Sequence, residues 1–141
     1  MKTKTKEKRT VGTRKAKLAE SAVVAGFPSP ADQYADNPLD LNELMVRNGP
    51  ATFYVRVAGD SMSGAGIFDG DILVVDKSLP ARDGDVVIAS VDNEFTVKRL
   101  KKRGAAVSLE PANPAYRPIV FTNEMELLVW GVATGLVRKF K

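Results

Sequence analysis

After residue 50, short runs rich in Val, Ile, Thr and aromatic residues are separated by Gly and Asp. Such runs bounded by turn residues are typical of β-strands, and the run at 71–75 is apolar enough to be buried on both faces. The pattern predicts strands at residues 52–57, 71–75, 86–91, 94–100, 106–109, 118–121 and 127–137. Many short strands joined by turns predict a mostly β fold, either a sandwich or a partly open barrel.

Two of these strands form a predicted hairpin around Asp92 and Asn93, residue types that favour a two-residue turn. Counting outward from this turn places Val87 opposite Lys98. Because side chains alternate along a strand, Thr96 and Lys98 share one face. Apolar neighbours on that face would remove water from the lysine amine and lower its pKa.

The chain before residue 51 carries weaker signals. Asp40 to Met45 is predicted to be a short helix, with Asp40 as its N-cap and Glu43 at the third position of a capping box. Asn48-Gly49-Pro50 ends this helix. The two prolines of Phe27-Pro28-Ser29-Pro30 favour extended backbone, which suits either a linker or a strand lying in a groove.

Positive charge is concentrated at the start of the chain. Residues 1–25 contain eight Lys or Arg and two Glu, a net charge of +6, whereas residues 26–141 contain 13 basic and 15 acidic residues, a net charge of −2. Residues 1–17 lack hydrophobic periodicity, and we interpret them as a flexible basic arm. The arm is either simply solvated or in contact with the phosphate backbone of DNA. The basic balance therefore does not indicate that the folded body binds nucleic acid.

No apolar run approaches the ~18 residues that cross a bilayer, and no signal-peptide core is present. We therefore expect a cytoplasmic protein without a membrane partner. Asp69, Asp71 and Asp76 match neither an EF-hand nor a two-metal spacing, and no phosphate-loop Gly-Lys-Ser/Thr follows Gly64 and Gly66. Neither a metal nor a cofactor is predicted.

Histidine and cysteine are both absent from the sequence. A Ser-His-Asp triad and a thiol nucleophile are excluded, so covalent catalysis would require a hydroxyl nucleophile with a lysine or carboxylate base. Ser61 and Lys98 are the candidate pair. Ser61 lies at a predicted bend before a Gly-rich stretch, where the backbone N–H groups of Asp60 and Ser61 can hold an oxyanion. The alternatives are an ordinary Gly-Asp-Ser turn and a solvated lysine beside other basic residues.

Five segments together resemble the UmuD branch of the LexA-like self-cleaving proteins. These segments, in chain order, are Ala25–Pro30, Gly59–Met62, Asp69–Asp71, Asp83–Val87 and Glu94–Lys98. The resemblance covers roughly residues 21 to 138, and the ordered set is far more specific than any one segment.

The resemblance implies a LexA/UmuD-like β fold with a flexible N-terminal arm, in which Ser61 is the nucleophile and Lys98 the general base. It places the scissile bond between Ala25 and Gly26 of the chain itself. The implied organisation is an arm, residues 1–25, that is removed by self-cleavage, and a β-rich peptidase-like domain, residues 26–141.

The resemblance further implies a role in the SOS response to DNA damage. Only 25 residues precede the predicted bond, too few for the helix-turn-helix domain of a LexA-type repressor, which favours the UmuD role. The processed form, residues 26–141, would then assist a UmuC-like translesion polymerase. A RecA–single-stranded DNA filament would activate cleavage, and the protein would be a homodimer.

Two alternative functions belong to other classes. One is a non-catalytic, dimeric β-rich module that recruits a polymerase or DNA. The other is a Ser-Lys peptidase acting on other proteins, which the missing membrane anchor and the matching bond in the chain's own arm both disfavour.

Overall fold

The computed structural model describes residues 16–18, 22, 23, 25, 26, 38–121 and 127–141. The described chain separates into two compact units, residues 1–44 and 45–141. The predicted flexible arm at residues 1–17 lies outside the described residues apart from Ala16 and Lys17, as does the proline-rich segment 27–30. None of the helices in the described ranges is long and apolar enough to cross a membrane.

The first unit contains a small two-stranded sheet and the start of a helix. Strand β1, Ala16–Lys17, pairs antiparallel with β2, Pro38–Leu39, and helix α1 follows at Leu41–Met45. The carboxylate of Asp40 accepts hydrogen bonds from the N–H groups of Asn42, at 3.0 Å, and Glu43, at 3.3 Å. The predicted N-cap of this helix is therefore confirmed.

The second unit is built on a seven-stranded antiparallel sheet. Its strands are β3 (Thr52–Arg56), β4 (Ile72–Asp76), β5 (Val86–Val91), β6 (Glu94–Arg103), β7 (Ala106–Glu110), β8 (Ile119–Val120) and β9 (Leu127–Val137). The spatial order is β3-β4-β9-β5-β6-β7-β8. The mostly β prediction is confirmed. Within the described chain the sheet keeps two edges, β3 and β8, and does not close into a barrel.

The β5–β6 hairpin has the register that its turn predicts. Asp92 and Asn93 both adopt positive φ angles, 48° and 68°, as a two-residue hairpin turn of the favoured hand requires. Val87 consequently lies opposite Lys98. Strand β6 continues to Arg103, three residues beyond its predicted end, because its charged final residues pair with β7.

Apolar side chains form two clusters, and successive residues of β5 belong to different clusters. Ile88 belongs to one cluster, with Met62, Leu73 and others, whereas Val87 belongs to the second cluster. Since successive residues of a strand point to opposite faces, the sheet carries core on both sides. Met62 follows the candidate nucleophile directly and is only 2% exposed, so this core also anchors the backbone beside Ser61.

An ion pair between a buried aspartate and an exposed arginine joins the residue that precedes β4 to the residue that follows β9. The Arg138 guanidinium donates to both carboxylate oxygens of Asp71 at 2.6 Å and to the Gly66 carbonyl at 2.9 Å. The Phe68 N–H donates to the same carboxylate at 2.8 Å. These hydrogen bonds, that of Arg138 first, lower the pKa of Asp71 to about 2.

Asp69, Asp71 and Asp76, the three aspartates considered as metal ligands, each bind a different protein group. Asp71 pairs with Arg138, Asp69 accepts the N–H of Gly59 at 2.8 Å, and Asp76 accepts the N–H and hydroxyl of Ser78.

The Asp71 ion pair predicts a specific acid sensitivity. The pKa of Asp71 is about 2 in the folded chain, below the ~3.9 of an unfolded aspartate. The ionised carboxylate therefore stabilises the fold fully above about pH 4, and this stabilisation is lost as the pH falls through about 2. Urea unfolding across this range should show a falling free energy of unfolding for the parent chain and a smaller pH dependence for Asp71→Asn.

Glu94→Gln, at an exposed position of the hairpin, is the matched control and should keep the parental pH dependence. An Asp71→Asn chain with the full parental slope would contradict the assignment of this stabilisation to Asp71.

Candidate active site

Ser61 lies in a loop, residues 58–70, whose base is closed by two backbone hydrogen bonds. The Val57 N–H donates to the Asp71 carbonyl and the Gly70 N–H to the Val57 carbonyl, both at 2.8 Å. We call residues 58–70 the Ser61 loop. Gly59 adopts a φ of 88°, which favours glycine, and its N–H is held by Asp69. The loop is thus fixed to the sheet before it reaches the serine.

The backbone after Ser61 tightens into a short 3₁₀ turn, Ser63–Ala65. The N–H of Ser63 donates to the Asp60 carbonyl at 3.2 Å, and the N–H of Ala65 donates to the Met62 carbonyl at 3.0 Å. With the Met62 side chain in the core, both neighbours of Ser61 have defined partners. The half-buried Ser61 therefore stands on an ordered bend, as predicted.

Lys98 lies on β6, and its amine reaches the serine. The Nζ of Lys98 is 3.0 Å from the Oγ of Ser61, although the residues are 37 positions apart. The amine also donates to the Thr96 hydroxyl at 2.8 Å and to the Val97 carbonyl at 3.1 Å. The structure thus brings together the two residues that the sequence singled out. Lys98 is 9% exposed, so the alternative of a solvated lysine is wrong.

The environment of Lys98 favours its neutral form. Burial lowers the pKa of the amine, because desolvation penalises the charged state. Among the described residues, its three hydrogen-bond partners are uncharged oxygens, and no carboxylate pairs with it. A neutral amine has two N–H donors and one lone pair. Thr96 and Val97 can accept the two donors, which leaves the lone pair for the hydroxyl proton of Ser61.

A groove of about 250 Å³ lies beside this pair. Residues 55–59 and residues 95–98 line it together with Ser61, Met62 and Ile88. One wall therefore follows the end of β3 and the start of the Ser61 loop, and the other follows β6. Two walls of near-extended backbone suit an extended peptide, whose main chain can pair with exposed strand groups.

Backbone N–H groups at the serine are available for an oxyanion. Among the described residues, the N–H groups of Asp60 and Ser61 have no protein acceptor. The carbonyl groups of the same two residues are bonded: that of Asp60 accepts from Asn113 Nδ2 at 3.0 Å and that of Ser61 from the Ala112 N–H at 2.8 Å. This arrangement is compatible with the predicted oxyanion role of Asp60 and Ser61.

Asn113 and Tyr116, which contact Asp60, were not found by sequence reasoning. The Tyr116 hydroxyl donates to the Asp60 carboxylate. Asn113-Pro114 is a recognisable turn signal, but nothing local connects it with a residue 53 positions earlier. The predicted cleavage residues Ala25 and Gly26 are both exposed and belong to the first unit.

Comparison with known protein families identifies the family of this chain. Residues 17–134 match the family model described as Peptidase S24-like, so the chain belongs to that family of peptidases. The chain is 47% identical over 115 residues to protein SamA of Salmonella typhimurium strain LT2, covering 82% of this chain and 79% of SamA.

Two further relatives bear on the branch of the family. Protein MucA of Escherichia coli is 43% identical over 114 residues, covering 79% of this chain and 77% of MucA. The LexA repressor of Syntrophotalea carbinolica is 42% identical over 134 residues, covering 94% of this chain and 65% of the repressor. The predicted resemblance to UmuD-type, LexA-like self-cleaving serine peptidases is confirmed.

The lowered pKa of Lys98 can be measured directly. In a Ser61→Ala chain with ¹³C-labelled lysine side chains, one lysine signal should titrate at a lower pH than the ordinary lysine value of ~10.4. That signal should be missing from a Ser61→Ala/Lys98→Met chain and present in Ser61→Ala/Lys101→Met, which removes a lysine from the same strand. Lysine signals that all titrate together near the ordinary value would contradict the described environment.

Proposed function

We propose that this peptidase cleaves its own Ala25–Gly26 bond with Ser61 as nucleophile and Lys98 as general base. The observation that carries the proposal is the 3.0 Å separation between the Ser61 hydroxyl and a buried lysine amine that lacks a carboxylate partner among the described residues. With no histidine or cysteine in the chain, Lys98 is the base that the geometry supplies.

The reaction begins with proton transfer from the Ser61 hydroxyl to neutral Lys98 as the serine oxygen attacks the carbonyl carbon of Ala25. Negative charge develops on the carbonyl oxygen, where the N–H groups of Asp60 and Ser61 stabilise it. Collapse of the tetrahedral intermediate breaks the bond to Gly26, and the ammonium of Lys98 returns its proton to the departing amine.

Deacylation repeats these steps with water. The water gives a proton to neutral Lys98 and attacks the Ala25–Ser61 ester, and the ammonium then reprotonates the serine oxygen as the acid departs. The products are residues 1–25 with a new carboxyl terminus and residues 26–141 with a new amino terminus. Lys98 is neutral again, so the proton balance closes.

The bond itself suits such a site. Ala25 and Gly26 are small and exposed, and a Cβ added to Gly26 would meet no atom of the described residues within 4 Å. Small side chains let an extended segment approach a groove closely. Because the substrate belongs to the same chain, its effective concentration at the site is high, and modest catalytic power suffices.

The biological role follows from the branch of the family. We assign the processed form, residues 26–141, to SOS mutagenesis, where it acts as a homodimer that assists a UmuC-like translesion polymerase. A RecA–single-stranded DNA filament is the activator of cleavage. The basis for these partners is the family resemblance and the similarity to SamA and MucA. The basic residues 1–25 are a candidate contact for DNA, and cleavage would remove them.

Intact-mass analysis of the purified chain at mildly alkaline pH tests the bond and the dyad. We expect a product that begins at Gly26 and loss of that product in Ser61→Ala and Lys98→Ala. Lys98→Arg should also fail, because arginine stays protonated in proteins. Ser90→Ala and Lys101→Ala, on neighbouring strands of the sheet, are matched controls that should cleave normally.

A product that begins at another residue would contradict cleavage at the Ala25–Gly26 bond. A parent chain that remains intact even with the RecA filament would favour the non-catalytic recruitment module instead.

The pH dependence of cleavage tests the base. Because only neutral Lys98 accepts the proton, the unassisted rate should rise with pH and level off once the folded pKa of Lys98 is passed. Since that pKa is lowered, the midpoint should fall below ~10.4. The filament should raise the rate near neutral pH, by favouring a state in which the arm fills the groove and excludes water. A flat unassisted profile over roughly pH 6–10 would contradict a lysine base.

A further inference from the structure

The segment between β7 and β8 contacts the backbone on both sides of Ser61. The Ala112 N–H donates to the Ser61 carbonyl at 2.8 Å, and the Gly64 N–H donates to the Ala112 carbonyl at 2.7 Å. Asn113 and Tyr116 add the two side-chain bonds to Asp60 already described. We call residues 112–116 the clamp loop, because its hydrogen bonds bracket the serine on either side.

The amide of Asn113 has a defined orientation. Its Oδ1 accepts the N–H of Ala115 at 2.9 Å, so its Nδ2 is the atom that donates to the Asp60 carbonyl. The Tyr116 N–H donates to the Asn113 carbonyl at 3.1 Å, which closes a turn around Pro114. The clamp loop is therefore ordered by its own bonds as well as by its contacts with Asp60.

Holding a carbonyl also orients the N–H of the next residue. The peptide unit is planar and trans, so the Asp60 carbonyl and the Ser61 N–H point in opposite directions within one rigid plane. The Asp60 carbonyl accepts the Nδ2 of Asn113 at 3.0 Å and, within the turn, the N–H of Ser63 at 3.2 Å. Asn113 holds it from the side of the clamp loop, and the Ser61 N–H consequently points away from that loop. The bond from Ala112 to the Ser61 carbonyl acts in the same way on the N–H of Met62.

Glycine at position 64 permits this close approach. A Cβ at that position would overlap the Ala112 carbonyl oxygen. The 2.7 Å bond between Gly64 and the clamp loop thus depends on the missing side chain.

We propose that Asn113 and Tyr116 are positioning residues that orient the Ser61 peptide plane, so that its N–H is directed at the oxyanion of the scissile carbonyl. Neither residue touches the substrate in this assignment; both act through Asp60. The inference rests on the proposed self-cleavage and names the residues on which its electrostatic step depends.

The Tyr116–Asp60 bond also persists under the conditions that the reaction needs. Hydrogen bonding to the Asp60 carboxylate raises the pKa of Tyr116, whereas burial lowers that of Lys98. The tyrosine therefore keeps the proton with which it holds Asp60 to a higher pH than a tyrosine without this hydrogen bond would.

Single substitutions that each remove one clamp bond test the proposal in the full chain. Tyr116→Phe removes only the hydroxyl. Asn113→Ser keeps an oxygen near the Ala115 N–H but is too short to reach the Asp60 carbonyl. Matched controls are Tyr54→Phe and Asn48→Ser, which make the same changes at exposed positions outside the clamp.

The measurements are the self-cleavage rate as a function of pH and the thermal unfolding midpoint. We expect each clamp variant to lower the alkaline plateau of the rate by about tenfold to a hundredfold, the range for a misplaced or missing oxyanion donor. The pH midpoint should stay at the parental value, because neither residue touches Lys98. Unfolding should be unchanged, and both controls should cleave like the parent.

Two results would overturn the proposal. The first is a parental plateau in both clamp variants. The second is a pH midpoint that moves toward the ordinary lysine value, since this would show that the loop acts by burying Lys98. If Asn113→Ser does not fold, the single hydroxyl removed by Tyr116→Phe decides the question.

The same series separates this inference from the proposed function. A parent chain that does not cleave, or a Ser61→Ala chain that does, refutes the proposed function and the inference with it. A parent that cleaves through Ser61 beside clamp variants that cleave equally fast refutes the inference alone.

Discussion

Lys98 has a buried amine with no carboxylate partner among the described residues, and the chemistry of the site follows from this environment. Lys98 is surrounded by protein, and its described partners are two hydroxyl groups and one carbonyl. A charged ammonium in such a place is costly, so the environment favours the neutral amine that a base must be. Had a carboxylate been its neighbour, the amine would be held in the charged form. The strand pairing with Val87 and the core behind it keep water away.

The serine reaches this amine because its loop is held at several points. Met62 is anchored in the core, Asp69 holds the N–H of Gly59, and the clamp loop binds the carbonyls of Asp60 and Ser61. Hydrogen bonds within the loop and contacts from outside it together give the positional precision that catalysis needs. The ion pair between buried Asp71 and Arg138 connects the end of this loop to the last strand.

A lysine base makes the reaction sensitive to the surroundings of one amine. Only the neutral amine can accept the serine proton, so the rate of unassisted attack depends on the fraction of Lys98 that is neutral. A partner that favours the closed, dehydrated arrangement then increases the fraction of neutral amine. In the proposed function, the RecA filament is that partner, and chain connectivity supplies the substrate.

Local patterns are enough to predict the secondary structure and the type of chemistry. Short apolar and β-branched runs between turn residues located the strands, and Asp92-Asn93 set the hairpin register that places Val87 opposite Lys98, because both signals arise from backbone geometry within a few residues. The absence of histidine and cysteine left a lysine or carboxylate as the base. The long-range contacts of the site come from the packing of the fold, which no local pattern encodes. This packing brought Ser61 within 3.0 Å of Lys98, extended β6 through pairing with β7, and placed Asn113 and Tyr116 against Asp60. It also gave Asp71 an arginine partner. Each of these contacts joins segments far apart in the chain, and only the packing of the sheet and its core fixes the distance between them.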